Sequence, residues 1–246
     1  MSFLVAVYVN EGIVLASDRR STYTQTENIN GMPVQKIGIH VTNSTDKTFV
    51  CPNGAGISTC GDASILGKPI TGFIQDMIHS KIKEETSVKD LPQIIIDYFS
   101  GFAVMPNVNF LVAGYAADED STQNQKLYKV VLNSGRKAIE EINTVNQGAV
   151  WDGETTTFSR ITQDVAILQN GSYVNLPHEE ILFGYFTLQD AVDFARFAVE
   201  TTINTMRFKN VVETVGGTVD ILVITPKETK WLQKLNFISI IFGYAR

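Results

Sequence analysis

The chain has 246 residues, of which 44% are hydrophobic and 19% charged, a composition typical of a globular protein with a sizeable core. The net charge of −6 argues against a nucleic-acid surface, which needs clustered Lys and Arg. We find neither an apolar run long enough for a membrane helix nor a signal-peptide pattern. Two cysteines are too few for a disulfide framework. We therefore expect a cytoplasmic protein that binds neither nucleic acid nor membranes.

The first half of the chain predicts strands followed by two helices. Apolar runs at 3–9 and 12–18 flank a turn signal and predict a hairpin. Further strands are predicted near 34–41, 47–51 and 55–60. Helical spacing of apolar residues then runs from Ile70 to Ile82, and the capping-box pattern Ser87-Val88-Lys89-Asp90 opens a second helix.

The second half repeats this order. It predicts strands at 108–115 and 127–132, a helix over about 154–168, a helix opened by a capping box at Thr187, and a last strand at 219–225. Blocks of strands followed by pairs of helices predict an α+β fold, in which two stacked, largely antiparallel sheets form a four-layer αββα sandwich. We expect one domain over 1–246, with residues 226–246 as a C-terminal extension that carries an apolar segment at 237–244.

Cofactor and metal signals are weak. Gly54 and Gly56 follow a predicted strand, but the third glycine of a dinucleotide loop is replaced by Thr59. The sequence also lacks a phosphate-binding loop, a nucleophile elbow and a cluster of metal ligands. We therefore expect no cofactor and no metal.

The strongest motif lies at the start of the chain. Ser2 is followed at fixed intervals by Gly12, Ala16, Asp18, Arg20 and Thr22. This spacing resembles the opening segment of mature proteasome β-type subunits and their bacterial relatives. Weaker similarity continues to about residue 225, in segments that begin at Gly61, Val108, Leu127, Thr187 and Gly217.

The resemblance implies an N-terminal-nucleophile hydrolase fold and a catalytic group. Ser2 would be the nucleophile after removal of Met1, and its free α-amine would be the general base, since such an amine titrates near neutral pH. Asp18 would pair with a buried lysine that stabilises the developing alkoxide. The register favours Lys36 for this lysine. Lys47 is the alternative, because the preceding loop is longer than in the family.

The resemblance also assigns the substrate side of the site. A backbone N–H near Ser58 would supply the oxyanion hole. Thr22 and its strand, together with Arg20, would bind an extended peptide through main-chain hydrogen bonds.

Two departures from the family pattern concern the support of the nucleophile. A serine that precedes the third helix in the family is replaced by the stretch Asn146-Gln147-Gly148. An aspartate and a serine that precede the last glycine pair are replaced by Val212 and Val215, with Glu213 close by. These departures and the presence of Met1 leave three interpretations open.

The first interpretation is an N-terminal-serine endopeptidase that acts on polypeptides, in a homo-oligomeric ring and with an ATPase unfoldase as a possible partner. The second is a catalytically inactive ring or scaffold subunit. The third is an amidase for a small substrate on the same fold.

Overall fold

The computed structural model describes residues 2–117, 123–177 and 179–235. Within them the chain forms a mixed α/β fold in which every strand pairing is antiparallel. Two five-stranded sheets make up the body. The helices are α1 (Ile70–Lys81), α2 (Leu91–Ser100), α3 (Thr156–Thr162) and α4 (Leu188–Met206), with short 3₁₀ turns at Val88–Asp90 and Phe183–Tyr185.

The first sheet carries the start of the chain at its centre. In spatial order its strands are β12 (Gly148–Gly153), β1 (Phe3–Val9), β2 (Gly12–Asp18), β15 (Val219–Ile224) and β16 (Thr229–Gln233). The strand β16 belongs to the predicted C-terminal extension, yet it forms an edge of this sheet. The apolar segment 237–244 lies outside the described residues.

The second sheet is built from the middle of the chain. In spatial order its strands are β11 (Arg136–Ile142), β10 (Gln123–Asn133), β9 (Val108–Ala117), β6 (Gly56–Gly61) and β5 (Thr48–Val50). Three two-stranded ribbons project from the body: β3 (Ser21–Ile29) with β4 (Met32–Thr42), β7 (Ser64–Ile65) with β8 (Lys68–Pro69), and β13 (Ala166–Gln169) with β14 (Ser172–Asn175).

Side-chain alternation along β1 shows how the body packs. Phe3 and Val5 pack with residues of α4 such as Ala195. Leu4, on the other face, packs with residues of the second sheet such as Leu111. This period of two is typical of a strand buried on both faces. A third apolar cluster joins α1 and α2 to the second sheet.

Most predicted elements are confirmed in position, and α4 begins at the expected capping box on Thr187. The predicted helix over 154–168 was too long, because α3 ends at Thr162 and the chain continues into the exposed ribbon of β13 and β14. Asn170 and Gly171 both have positive φ, 51° and 79°, the conformation that an Asn-Gly hairpin turn requires. Among the described residues, no helix is both long and apolar enough to cross a membrane.

Candidate active site

Ser2 is buried at the entrance of β1, and the end of β12 holds it there. Its carbonyl oxygen accepts a hydrogen bond of 2.7 Å from the Glu154 amide. Gly153 has a φ of +90°, and a Cβ at this position would lie 1.8 Å from the Ser2 carbonyl oxygen. Because only glycine tolerates both the conformation and the close approach, Gly153 fixes the position of Ser2.

Asp18, at the end of β2, forms a buried ion pair with Lys47. The Lys47 Nζ lies 2.7 Å from Asp18 Oδ1. Asp18 also accepts hydrogen bonds from the backbone amides of Phe3 (3.1 Å), Arg20 (3.0 Å) and Gly216 (2.9 Å). The carboxylate therefore ties the residue after Ser2 to the lysine and to the glycine pair before β15.

The surroundings of Lys47 shift its pKa. Burial lowers the pKa of the Lys47 ammonium, and the charge of Asp18 opposes this effect. Desolvation favours the neutral amine, while a neighbouring carboxylate favours the cation. The Asp18 carboxylate is thus the group that favours the charged form of Lys47.

A small cleft joins Ser2 to this ion pair. Its lining includes Ser2, Ser21, Thr22, Thr45, Asp46, Lys47, the segment 59–63 and Ile70. The Cys60 thiol faces the same region, and burial raises its pKa to about 12. Since the thiolate is the nucleophilic form of cysteine, burial makes the Cys60 thiol a poor nucleophile.

Lys36 lies elsewhere, so the expected pairing of Asp18 with Lys36 was wrong. Lys36 projects from β4 opposite Gln25, and its half-exposed ammonium binds Glu27 at 2.7 Å. The β3–β4 ribbon spans residues 21–42, so the lysine that meets Asp18 is the one after the ribbon returns to the body. The Asn30-Gly31 turn of this ribbon, with φ of 54° and 80°, was the sequence signal for the insertion.

Ser58 lies outside the cleft lining. It is fully buried in β6, and its hydroxyl is 2.8 Å from the Thr48 hydroxyl, which in turn lies 2.8 Å from Ser17. The cleft is lined instead by residues 59–63, next along β6. Gly61 in this segment has a φ of +118°, and a Cβ there would lie 2.3 Å from the Asn107 carbonyl oxygen. The oxyanion position predicted near Ser58 is therefore next to this lining.

Thr22, predicted as a substrate-binding position, lines the cleft. Its hydroxyl donates to the Glu213 carbonyl at 3.3 Å. Arg20 is outside the lining. Its guanidinium binds the side chains of Asn43, at 2.8 Å, and Glu213. Arg20 thus connects the base of the ribbon to the segment before β15.

A second buried ion pair was not anticipated from the sequence. Arg19 Nη1 lies 2.6 Å from Asp220 Oδ2 and 2.7 Å from Asp46 Oδ1. Burial raises the pKa of Asp220, and the Arg19 charge opposes this effect. The signal was the acidic residue within the otherwise apolar run 219–224, since an isolated buried carboxylate needs a cation.

Among the described residues, no hydrogen bond joins Ser2 to the positions that depart from the family pattern. Gln147 serves the opposite end of β1, where it accepts from the Asn10 amide at 2.7 Å. Val215 is buried in the apolar cluster beside α4, while Val212 is exposed. Asp152 precedes Gly153 and receives the Lys129 ammonium at 2.8 Å. Asp152 is adjacent to Gly153, which contacts Ser2, and it was not predicted from the sequence.

Metal binding has no support in the described part of the chain, where no group of three or more His, Cys, Asp or Glu side chains is arranged to hold an ion. Met1, whose removal would free the Ser2 α-amine, lies outside the described residues.

Comparisons with known proteins detect the fold but not the sequence family. Neither a scan against protein families nor a search of curated proteins finds a match. Among solved structures, the chain is similar to a Gly-1 mutant of Anbu from Hyphomicrobium sp. strain MC1. The TM-score is 0.58 and the identity 14%, over 100% of this chain and 94% of that one. Anbu is a bacterial proteasome-like protein, so this chain has a fold similar to a proteasome-like fold.

Proposed function

We propose that the chain is a proteasome-like N-terminal-nucleophile hydrolase that cleaves peptide bonds, with Ser2 as nucleophile once Met1 is removed. The observation that carries this proposal is the buried Lys47–Asp18 pair, at 2.7 Å, whose lysine lines the same cleft as Ser2. The proposal includes a four-layer αββα arrangement. The three apolar clusters, one between the sheets and one under each helix pair, support it.

The proposed reaction uses only groups of this cleft. The free α-amine of Ser2 takes the proton from Ser2 Oγ, which attacks the peptide carbonyl carbon. The protonated amine gives its proton to the departing amine as the C–N bond breaks, leaving an ester on Ser2. Water, deprotonated by the same amine, attacks this ester and releases the acid, which restores the hydroxyl.

The ion pair acts on the charges that develop in this sequence. The Lys47 ammonium stabilises the negative charge on Ser2 Oγ as its proton leaves, and Asp18 keeps Lys47 charged. An N–H of the segment around Gly61 stabilises the carbonyl oxygen. Serine lacks the β-methyl of threonine, so its hydroxyl is less restricted in rotamer. We expect a slower reaction of the same kind.

The substrate side of the proposal is an extended polypeptide. Thr22 lines the cleft, and the strand that begins at Ser21 offers backbone groups for an added strand. Assembly into a homo-oligomeric ring, with an ATPase unfoldase as partner, belongs to the proposal because the resemblance implies it. Exposed peptidase sites would otherwise cleave indiscriminately.

The test is hydrolysis of a set of fluorogenic peptides by protein whose N-terminus is Ser2. We expect turnover by this protein and loss of turnover in Ser2→Ala. Ser21→Ala, which alters another serine of the cleft lining, is the matched control and should keep activity. Unchanged turnover in Ser2→Ala would overturn the proposal.

A second candidate function is a ring or scaffold subunit without catalysis. It is favoured by the apolar residues Val212 and Val215 at positions where the family supports the nucleophile. On this account no peptide or small amide is cleaved even when Ser2 is N-terminal. Cleavage of small amides but not peptides would instead support the amidase interpretation.

A further inference from the structure

The β3–β4 ribbon leaves six large apolar side chains in contact with water. Their exposed fractions lie between 39% and 67%, and the residues are Ile29, Met32, Val34, Ile37, Ile39 and Val41. Within the described part of the chain, β3 and β4 pair only with each other. The register places Ile29, Met32 and Val34 on one face of the ribbon and Ile37 and Val41 on the other. Isolated two-stranded ribbons are marginally stable, and exposed apolar surface marks a binding site. The ribbon therefore needs a partner.

The last described residues lie beside the base of this ribbon. The Lys234 ammonium is 3.7 Å from the Asp46 carboxylate and 4.0 Å from the centre of the Trp231 ring. Asp46 follows the end of β4 at Thr42 by four residues, a distance of at most about 14 Å. The chain after Leu235 thus starts close to where the ribbon leaves the body.

The sequence after this point is suited to an extended segment. Residues 236–246 include Phe237, Ile238, Ile240, Ile241 and Phe242, types that favour strands. Alternate side chains of a strand share a face, so Ile238, Ile240 and Phe242 would form one fully apolar face. Ser239 would lie on the other.

The length of this segment matches the lower half of the ribbon. Eleven extended residues reach about 36 Å, and about 14 Å of that suffices to reach the ribbon base. The remaining 22 Å or so equals about six or seven strand residues. This covers β4 from Val41 past Ile39 to Ile37, three of its exposed apolar side chains.

We propose that residues 236–246 dock on the β3–β4 ribbon of the same chain, where they cover Ile37, Ile39 and Val41. The ion pair between Lys234 and Asp46 fixes the start of the segment beside its site, which gives a high effective concentration. A second copy of the chain has no such advantage. The inference does not depend on the proposed catalytic function.

Hydrogen exchange of the full chain and of a chain ending at Leu235 tests this docking. We expect peptides from β4 to exchange at least tenfold faster in the shortened chain, while peptides from β9 and β10 stay unchanged. Equal exchange of β4 in both proteins would overturn the inference. If peptides from β9 and β10 also exchange faster, shortening the chain has affected the whole fold. Single substitutions in the full chain then test the docking.

In the full chain, Ile240→Asp should accelerate exchange in β4, and Ser239→Asp, on the opposite face, should not. Equal effects of the two substitutions would overturn the docking. A chain with Ile39→Cys and Ile240→Cys then distinguishes the occupant. We expect a disulfide within one chain after oxidation. Disulfide-linked dimers from a mixture of the two single variants would instead identify a second copy as the occupant.

Discussion

Lys47 and Asp18 are 29 residues apart in sequence, yet their side chains form a buried hydrogen bond of 2.7 Å. The ribbon between them accounts for this separation, because β3 and β4 leave the body after β2 and return just before Lys47. The ammonium is thereby placed in the cleft that Ser2 lines, while Lys36, on the ribbon, stays in solvent.

Lys47→Met should strongly slow the reaction of Ser2. The substitution keeps the length of the side chain but removes the charge that we propose stabilises the forming alkoxide, so labelling of Ser2 by an epoxyketone should slow by about 100-fold or more. Lys36→Met is the matched control, because its half-exposed ammonium pairs with the partly exposed Glu27, and it should react at the normal rate. Normal labelling of Lys47→Met would exclude the assigned role.

Asp18→Asn should destabilise the fold. It leaves the Lys47 charge buried without its counterion and places an amide against backbone donors, at a cost of about 3–5 kcal/mol in the free energy of unfolding. The control Glu27→Gln breaks the exposed pair with Lys36 and should cost less than about 1 kcal/mol. Urea denaturation measures both values, and equal losses would contradict the importance of the buried pair.

Gly153→Ala should displace Ser2. The new Cβ would meet the Ser2 carbonyl oxygen at 1.8 Å. The free energy of unfolding should therefore fall by more than about 2 kcal/mol, and labelling of Ser2 should slow. Gly171→Ala is the control. Its φ of +79° is similar but nothing lies within 4 Å, so it should cost about 1 kcal/mol and leave labelling intact. Similar labelling in both variants would show that Gly153 does not position Ser2.

Arg19→Met should be strongly destabilising, since it removes the cation that is hydrogen-bonded to the buried Asp220 carboxylate. The expected cost is about 3–5 kcal/mol. Adding Asp220→Leu should recover part of this loss, because the unpaired charge is then removed. Thermal or urea unfolding of the two variants provides the comparison, and a double variant less stable than Arg19→Met would contradict the explanation.

The two thiols should make the protein less stable at alkaline pH. Burial raises the pKa of Cys51 to about 12 and that of Cys60 to about 12, whereas an unfolded thiol ionises near 8.5. Between these values the unfolded state binds fewer protons, so stability falls as pH rises, by about 1.4 kcal/mol per pH unit and thiol. The stability of the Cys51→Ala variant should fall less steeply from pH 9 to 10 than that of the unchanged protein. An unchanged slope would contradict this assignment.

Much of the fold was predictable because local signals agreed with packing. The apolar runs of β1, β2 and β15 are buried on both faces, and the Thr187 capping box marks the start of α4. Exposed ribbons were the difficulty. The strand β4 was predicted at 34–41, but β3 and the β13–β14 ribbon were not, because they bury little. The Asn-Gly turns of the two ribbons were the available signal.

The candidate site was predictable where strand spacing decides it. Ser2, Asp18 and Thr22 lie on or beside neighbouring strands, so their spacing fixes their positions. The lysine lies beyond an inserted ribbon, and its identity depended on the length of that ribbon. The Arg19–Asp220 pair joins residues 201 positions apart. Such a pairing depends on the order of the strands in the sheet and not on local sequence spacing.

The most direct test of the account is the intact mass of the purified protein after incubation with an epoxyketone, a probe that requires both a free α-amine and its adjacent hydroxyl. We predict a mass that has lost Met1 and gained one probe molecule. The Ser2→Ala variant should gain no probe mass. A protein that begins with Ser2, is folded, and still gains no probe would contradict the assignment of Ser2 as nucleophile.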